Sequence, residues 1–399
     1  MKTRDHAALM NCVAVLALVA LGVVACQGDY ESEDGPLPEQ EQDSAGIRIV
    51  ENASPPEGSR LGWRIGPEPT VTIGGLEGEG PYMLYRAYGA SKLPDGRIVV
   101  ADNDSGELRA FDAQGNHLAT WAGKGEGPGE VVPRYGHLAT AEPWQGDSIM
   151  AWYTGQGGVV SIYDAEGNFG RSLRFGGPPP DIRWPEAPRT DGTILVTTNS
   201  DSVEIWNGDK TLSVSLGYHL YGERYEVPVQ HERERSTYPV VFRQNREVGL
   251  WGDLFYIGSI HGYEIKAYRA DGTLARIVRR GHVPRAPTQA DYDYYVSQLP
   301  VTGLAHHESA QIAESFPAFS EFMGDGAGYL WVREYDFPLE ERPAPLWTVF
   351  DAQGRALGFM ETPPGLDVLE IGEDYILGRV VAERGVESIQ LWPLERVGG

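Results

Sequence analysis

Short segments that are wholly apolar, or that alternate between apolar and polar positions, run through the chain from about residue 70 onward. Residues 98–100 and 254–257 belong to two such segments, and each is followed closely by a turn and another strand-like segment. A period of two with many β-branched and aromatic side chains is typical of β-strands, and the longer period of amphipathic helices is nearly absent. The pattern predicts an all-β protein built from short strands.

One type of turn recurs as an aromatic residue, a polar or acidic residue, a small residue and, shortly afterwards, a glycine. Four clear copies and a weaker fifth occur: Phe111-Asp112-Ala113-Gln114-Gly115, Tyr163-Asp164-Ala165-Glu166-Gly167, Tyr268-Arg269-Ala270-Asp271-Gly272, Phe350-Asp351-Ala352-Gln353-Gly354 and Trp206-Asn207-Gly208-Asp209. An aspartate in such a turn accepts hydrogen bonds from nearby backbone amides, and glycine readily adopts positive φ. Each copy is therefore predicted to join two strands as a hairpin.

A second repeat sets the phase of these hairpins. The segment Gly78-Glu79-Gly80-Pro81 returns unchanged as Gly125-Glu126-Gly127-Pro128, and Gly176-Gly177-Pro178 follows. Junctions near positions 78, 125, 177, 220, 281 and 363 divide the chain into six units, most of them with about four short strands, as in the blades of a β-propeller. The last unit lacks one strand, and residues 70–73 are predicted to complete it, which would close the ring and remove free edges. The predicted fold is a six-bladed β-propeller.

Helical patterning emerges only in an insertion in blade five, at about residues 282–315. Thr288 can cap a helix together with Asp291 three residues later. The positions that would form one apolar stripe are Tyr292, Tyr295, Val296 and Leu299. Such a helix either seals a blade edge or forms a lid that shapes a ligand site, and both interpretations stay open.

The N-terminal residues predict a secretion signal. Lys2 and Arg4 precede an apolar run from Cys12 to Val24, which is short for a membrane span of about 20 residues. The run ends in Val23-Val24-Ala25-Cys26, which resembles the bacterial lipoprotein lipobox. The resemblance implies a signal peptide over residues 1–25 and lipid attachment at Cys26. The alternatives are an ordinary signal peptide with a chance cysteine, or an uncleaved membrane anchor.

Composition bounds the domain organisation. The chain has 399 residues, of which 41% are hydrophobic, so it can bury a large core. Residues 27–46 carry seven carboxylates and no lysine or arginine, and a segment of this kind cannot bury enough surface to fold. We therefore expect an acidic, disordered tether over residues 26–46 and the propeller over residues 47–399. The net charge of −24 argues against nucleic acid as a partner.

The junction segment Gly125-Glu126-Gly127-Pro128-Gly129-Glu130, with the turn Phe111-Asp112-Ala113-Gln114-Gly115 before it, resembles bacterial six-bladed propeller lipoproteins related to NHL-repeat proteins. The resemblance implies a propeller in the cell envelope and carries over no catalytic residues. Gln27 rather than aspartate follows Cys26, which favours the periplasmic face of the outer membrane in a double-membraned host.

Motifs for catalysis or cofactor binding are weak. Gly123-Lys124-Gly125 lacks the following Ser or Thr of a phosphate-binding loop. The run Asp102-Asn103-Asp104-Ser105-Gly106-Glu107 begins like a calcium loop, but the ligand pattern does not continue, so a polar turn is favoured. The adjacent His306 and His307 would point in different directions on a helix or a strand. We predict no cofactor, no metal and no catalytic residue.

Residues just after each junction belong to the predicted innermost strands, which line the channel of a propeller. The candidates for ligand contact are Arg134, Tyr135, His137, Arg183, Trp184 and Tyr238. They could hold an anionic or sugar-like ligand, or they could only fill the channel.

The favoured function is a lipid-anchored binding or scaffold module for a protein, peptide or glycan. The alternative is a metal-dependent hydrolase or lyase. That activity would require three or more carboxylates, asparagines or histidines to meet at the channel.

Overall fold

A computed structural model describes residues 39–44, 46–75, 80–125, 127–130, 137–154, 158–177, 181–228, 235–299 and 310–396. Everything below refers to these residues. The predicted signal peptide, the lipid-attachment site Cys26 and the first part of the predicted tether lie outside them. No helix in the described ranges is long and apolar enough to cross a bilayer.

The described chain is almost entirely β-structure. Four strands lie before the first blade: β1 (Glu39–Ser44), β2 (Ile47–Asn52), β3 (Arg64–Ile65) and β4 (Val71–Gly74). Blade one contains β5 (Gly89–Lys92), β6 (Ile98–Asp102), β7 (Glu107–Phe111) and β8 (His117–Ala122). Blade two contains β9 (His137–Pro143), β10 (Ile149–Thr154), β11 (Val159–Tyr163) and β12 (Phe169–Arg174). Blade three contains β13 (Arg183–Pro188), β14 (Thr193–Thr198), β15 (Ser202–Asn207) and β16 (Leu212–Tyr218).

A two-stranded hairpin of β17 (Arg224–Pro228) and β18 (Arg235–Pro239) follows blade three. Blade four contains β19 (Val248–Trp251), β20 (Leu254–Gly258), β21 (Glu264–Tyr268) and β22 (Leu274–Arg280). Blade five contains β23 (Glu321–Gly324), β24 (Leu330–Arg333), β25 (Leu346–Phe350) and β26 (Ala356–Glu361). Blade six contains β27 (Leu366–Ile371), β28 (Tyr375–Val381) and β29 (Glu387–Glu395).

The N-terminal strand β4 closes the ring. It pairs antiparallel with β29, with Ile73 opposite Ile389, and so becomes the fourth strand of blade six. The short β3 pairs with the end of β29, where Ile65 lies opposite Leu394. The prediction that residues 70–73 complete the last blade is confirmed, and so is the six-bladed fold.

Packing shows the same six-fold division. Six clusters of buried apolar side chains form the core, and each lies between two neighbouring blades. Ile73 and Leu377 of blade six meet Phe111 of blade one in the cluster that seals the ring. Because apolar burial is the main stabilising contribution, the blades hold one another in place through these interfaces.

The repeated turns form the predicted hairpins between the third and fourth strands of their blades. In blade one, Asp112 accepts hydrogen bonds from the backbone amides of Gln114 and Asn116 at 2.9 and 2.8 Å. Gly115 has a φ of +84° there. Asp164 and Asp351 accept the same pair of amide hydrogen bonds, and positive φ recurs at Gly167, Gly272 and Gly354. The hairpin prediction is confirmed.

The first residues of the domain form a feature that the sequence did not reveal. The strand β2 adds to the outer edge of blade four by pairing in parallel with β22, and β1 pairs antiparallel with β2. The side chain of Asn52 then bonds to Gly354 and Ala356 of blade five. Residues 47–74, called the N-terminal strap below, thus contact blades four, five and six in turn.

The position of β1 corrects the predicted C-terminal boundary of the tether. The predicted disordered tether extended to residue 46, but residues 39–44 form the strand β1. Backbone hydrogen bonds to a strand edge do not require apolar side chains, so an acidic segment can extend a sheet once β2 is in place. The apolar Val50, which is fully buried against blades four and five, fixes β2 there.

The insertion in blade five contains the one α-helix of the described residues, α1 (Gln289–Ser297). Thr288 and Asp291 form the predicted capping box at its start. The predicted stripe faces inward, since Tyr292, Tyr295, Val296 and Leu299 are half-buried. Tyr295 packs edge-on against Phe242, with 5.5 Å between ring centroids. The helix therefore covers the segment that joins the β17–β18 hairpin to blade four.

Candidate functional site

The two ends of the propeller differ in the connections they carry. Each blade begins with its inner strand, and its strands alternate in direction, so the inner strands of all blades run the same way. The connections between blades and the loops between second and third strands therefore lie at one end, called the junction face below. The repeated turns lie at the other end.

The inner strands surround a central channel with a cavity of about 380 Å³. All six blades contribute to its lining, through residues that include Ser91, Glu142, Ala187, Leu250, Met323 and Glu370. The lining of the channel mixes apolar side chains with carboxylates. It is the first candidate site.

Two of these carboxylates lie near the ends of their strands, away from the junction face. Burial raises the pKa of Glu142 to about 8, and the negative charge of Glu370 adds to the shift. Burial also raises the pKa of Glu370, although its carboxylate accepts hydrogen bonds from the Lys92 amide, at 3.0 Å, and from the Tyr375 hydroxyl. The pair cannot be fully ionised at neutral pH without a large desolvation cost.

Three further glutamates lie on or next to the inner strands of blades three, four and five. Burial raises the pKa of Glu247 to about 8, and the charges of Glu321 and Glu186 raise it further. The pKa values of Glu186 and Glu321 are also raised by burial. The hydroxyl of Thr197 donates to Glu186 at 2.5 Å. Glu247 and Glu321 come at the start of their strands, so they lie toward the junction face.

These five side chains, called the inner-strand glutamates below, were missed in the sequence. Each lies within or beside a short apolar segment that follows a junction, as in Ala141-Glu142-Pro143 and Leu369-Glu370-Ile371. A carboxylate in or beside the inner-strand segment of five successive units was the signal that could have identified them.

The inner-strand glutamates do not form a metal site. Within the described ranges, no three histidine, cysteine, aspartate or glutamate side chains come close enough to hold a metal ion. The candidate calcium loop is the favoured polar turn: Asp102 is buried, 3.2 Å from the Arg109 guanidinium, and accepts a hydrogen bond from the Ser105 amide. Two of the inner-strand glutamates, Glu142 and Glu370, line the channel, and burial raises the pKa of both carboxyl groups.

The residues singled out as channel contacts lie in different places. Arg183 and Trp184 begin the inner strand β13, and the Arg183 side chain bonds to Glu204 at 3.0 Å and stacks over Trp206. Tyr238 belongs to the β17–β18 hairpin, next to Tyr225. Arg134 and Tyr135 lie outside the described residues, and for His137 only its place at the start of β9 is described. Their contact with a ligand stays a prediction.

The junction face is the second candidate site, because it carries most of the exposed apolar surface. The described residues include thirteen large hydrophobic side chains that are exposed. Ten are on the junction face: Met83, Tyr85, Tyr88, Tyr218, Tyr221, Val283, Tyr294, Ile312, Leu339 and Val381. The other three, Leu118, Leu212 and Leu357, lie on outermost strands near the opposite end.

Two of these tyrosines are stacked against arginines. The Arg379 guanidinium lies 4.7 Å from the Tyr88 ring centroid, and Arg243 and Arg246 lie 5.4 and 5.8 Å from that of Tyr221. Cation–π contact holds each ring in place while leaving it 48% and 39% exposed, respectively. The face thus presents to solvent aromatic rings that are stacked against arginines.

Comparisons with known proteins define the class by fold. No protein-family model and no curated protein matches the chain. Among solved structures, a Bacteroides fragilis protein described provisionally as exported has a TM-score of 0.53 at 12% identity, over 88% of this chain and 100% of its own. A DUF4221-family protein of Bacteroides vulgatus has a TM-score of 0.52 at 8% identity, over 84% of this chain and 99% of its own. At such identities the likeness concerns the fold alone, and it agrees with a six-bladed β-propeller.

Proposed function

We propose that this propeller is an exported, lipid-anchored module that binds a protein, peptide or glycan through its junction face. Cys26 is the proposed lipid-attachment residue, and the periplasmic face of the outer membrane is the proposed location. The acidic residues between Cys26 and β1 would then space the propeller from the membrane.

The uneven distribution of exposed apolar side chains carries this proposal. Isolated exposed apolar residues are normal on any soluble protein, but their concentration at one end marks an interaction surface. The end with the repeated turns carries short hairpins in place of the inter-blade connections, and it lacks this concentration in the described residues. The connections and the helical insertion of the junction face carry most of the exposed apolar side chains.

The chemistry of the junction face favours a protein or peptide ligand. Tyrosine and arginine are the side chains that most often dominate binding energy at protein interfaces. Tyr88 and Tyr221 are already held by arginines, so ordering them on binding costs little conformational entropy. Tyr294 on the exposed side of α1 adds the helical insertion to the same surface.

The test compares paired surface variants in the native host. One variant carries Tyr85→Ser and Tyr294→Ser on the junction face, and its control carries Leu118→Ser and Leu357→Ser near the opposite end. We expect one partner, recovered reciprocally with wild type and control, to be lost from the junction-face variant while folding is unchanged. Equal recovery of every partner by both variants would contradict the proposal.

A further inference from the structure

A cavity of about 310 Å³ lies between blades three and four at the junction face. His219 and Leu220 line it from the connection that leaves blade three, and Ile257, His261 and Lys266 line it from blade four. Arg246, which comes two residues before β19, also lines it. This volume is at the small end for ligand pockets, so any ligand would have few heavy atoms.

Arg246 is the unusual member of this lining. It is only 7% exposed, and one terminal nitrogen donates to the backbone carbonyl of His219. The Nε atom is buried and has no hydrogen-bond acceptor. No ion pair joins Arg246 to a carboxylate within the described part of the chain. The Arg246 guanidinium lies 5.8 Å from the Tyr221 ring centroid, but a buried guanidinium with no carboxylate in contact with it is costly.

The nearby described carboxylates do not contact the Arg246 guanidinium. Glu264 lines the cavity, but it pairs with Arg279, at 2.6 Å, and with Lys266, at 3.6 Å. Glu186 and Glu247 interact with Arg246 only through longer-range electrostatics, as does Asp201. Burial and the positive charges of Lys266 and Arg246 lower the pKa of His219, which bonds through its ring to the Leu216 carbonyl. Among the described residues that line the cavity, Arg246 and Lys266 are the cations and Glu264 is the one carboxylate, in a chain whose net charge is −24.

We propose that this cavity binds a small oxyanion, a carboxylate or phosphate group, which serves as the counter-ion of Arg246. A planar guanidinium matches either group by paired hydrogen bonds. Lys266 adds a second positive charge at the half-exposed side, and Leu220, Ile257 and Ile260 leave room for a few apolar atoms of the ligand. The site needs no partner protein, and Arg246 also stacks against Tyr221 of the junction face.

The test is a titration of the purified chain with sodium phosphate and, separately, with sodium acetate, at pH 7 and constant ionic strength set with chloride. The readout is the NMR signals of the His219 and His261 imidazoles. We expect saturable shifts with at least one anion, and a rise in the His219 pKa as the anion binds. The two titrations distinguish a phosphate site from a carboxylate site.

Variants locate the binding. Arg246→Gln should weaken it at least about tenfold, and Lys266→Gln, at a more exposed position that folding should tolerate, should weaken it about threefold. Lys210→Gln, in an exposed turn at the opposite end, is the matched control and should change nothing. The absence of saturable shifts with both anions would overturn the proposal, as would binding that Lys266→Gln leaves unchanged.

Discussion

Gly167 lies directly against Trp121 of the preceding blade: a Cβ atom added at Gly167 would lie 2.0 Å from the indole ring. Gly115, Gly272 and Gly354 make the same kind of approach, to Val71, Val214 and Val278. Each of these four glycines packs on the fourth strand of the blade before it. The repeated turn is therefore an inter-blade contact as well as a hairpin.

Gly167→Ala is predicted to lower the free energy of unfolding by about 2–4 kcal/mol, because it adds a steric clash to a strained φ of +85°. Gly146→Ala is the matched control in the same blade: its φ is +64°, and no atom lies within 4 Å of the added Cβ. The control should lose only about 1 kcal/mol. Urea unfolding of both variants measures the difference, and equal losses would show that the contact with Trp121 is unimportant.

The sequence revealed the parts of the fold that depend on local signals. Turns such as Asp112 to Gly115 need only a side-chain acceptor and a residue that adopts positive φ. The aspartate and the glycine that supply them lie within five residues of sequence. The closing strand β4 was found because one unit lacked a strand and an unused apolar segment preceded the first. The parallel pairing of β2 with β22 joins segments more than 220 residues apart, and no local pattern marks it.

The candidate site was harder to predict because its residues are distant in sequence and come together only in the folded ring. Glu142 and Glu370 are distant in sequence, and only the closed ring makes them electrostatic neighbours. Arg183 was placed correctly on an inner strand, but its side chain bonds to Glu204 on the third strand of the same blade. Strand position was readable from the sequence, whereas side-chain partners within a sheet were not.

The pKa of Glu142 predicts a pH dependence of stability. Burial in the channel and the charge of Glu370 raise this pKa from an ordinary 4.5 to about 8. Below about pH 4 the Glu142 carboxyl is protonated in both the folded and the unfolded protein, so its raised pKa costs no stability there. As pH rises from about 4 through about 8, the unfolded protein ionises first and the free energy of unfolding falls. Glu142→Gln mimics the protonated form, and at pH 9 it should be more stable than wild type by on the order of 1–3 kcal/mol.

Unfolding at pH 4 and pH 9 measures this effect. The gain from Glu142→Gln should be nearly absent at pH 4, and Glu166→Gln, at an exposed turn of the same blade, should show little change at either pH. A variant whose advantage does not grow with pH would show that Glu142 is ionised in the folded channel.

A buried ion pair joins blades four and five. Both terminal nitrogens of Arg280 bond to Glu334, at 2.6 and 2.9 Å, and the Arg280 side chain is only 4% exposed. Arg280→Met should cost about 3–5 kcal/mol because it leaves a buried carboxylate unpaired. The exposed pair of Arg60 and Glu361 is the comparison, and Arg60→Met should cost about 0–1 kcal/mol. Similar losses in the two denaturant curves would refute the distinction.

The proposed lipid anchor predicts a change of compartment. Cys26→Ser removes the thiol that would be acylated, so the protein should move from the membrane fraction to the soluble envelope fraction. Mass spectrometry of the wild-type N-terminal peptide should show an acylated Cys26. An unmodified Cys26, or a Cys26→Ser variant that stays in the membrane fraction, would contradict the proposal.

The closure of the ring by the N-terminal strap is tested most directly by an engineered disulfide. Thr72 and Gln390 are cross-strand partners in β4 and β29, at a spacing suited to a disulfide. Thr72→Cys with Gln390→Cys, in a chain lacking Cys12 and Cys26, should cross-link almost completely under mild oxidation without loss of Tm. Thr72→Cys with Thr273→Cys, which places the second thiol in blade four, should stay reduced. Free thiols in the first pair, or equal cross-linking in both, would contradict a six-bladed ring closed by β4.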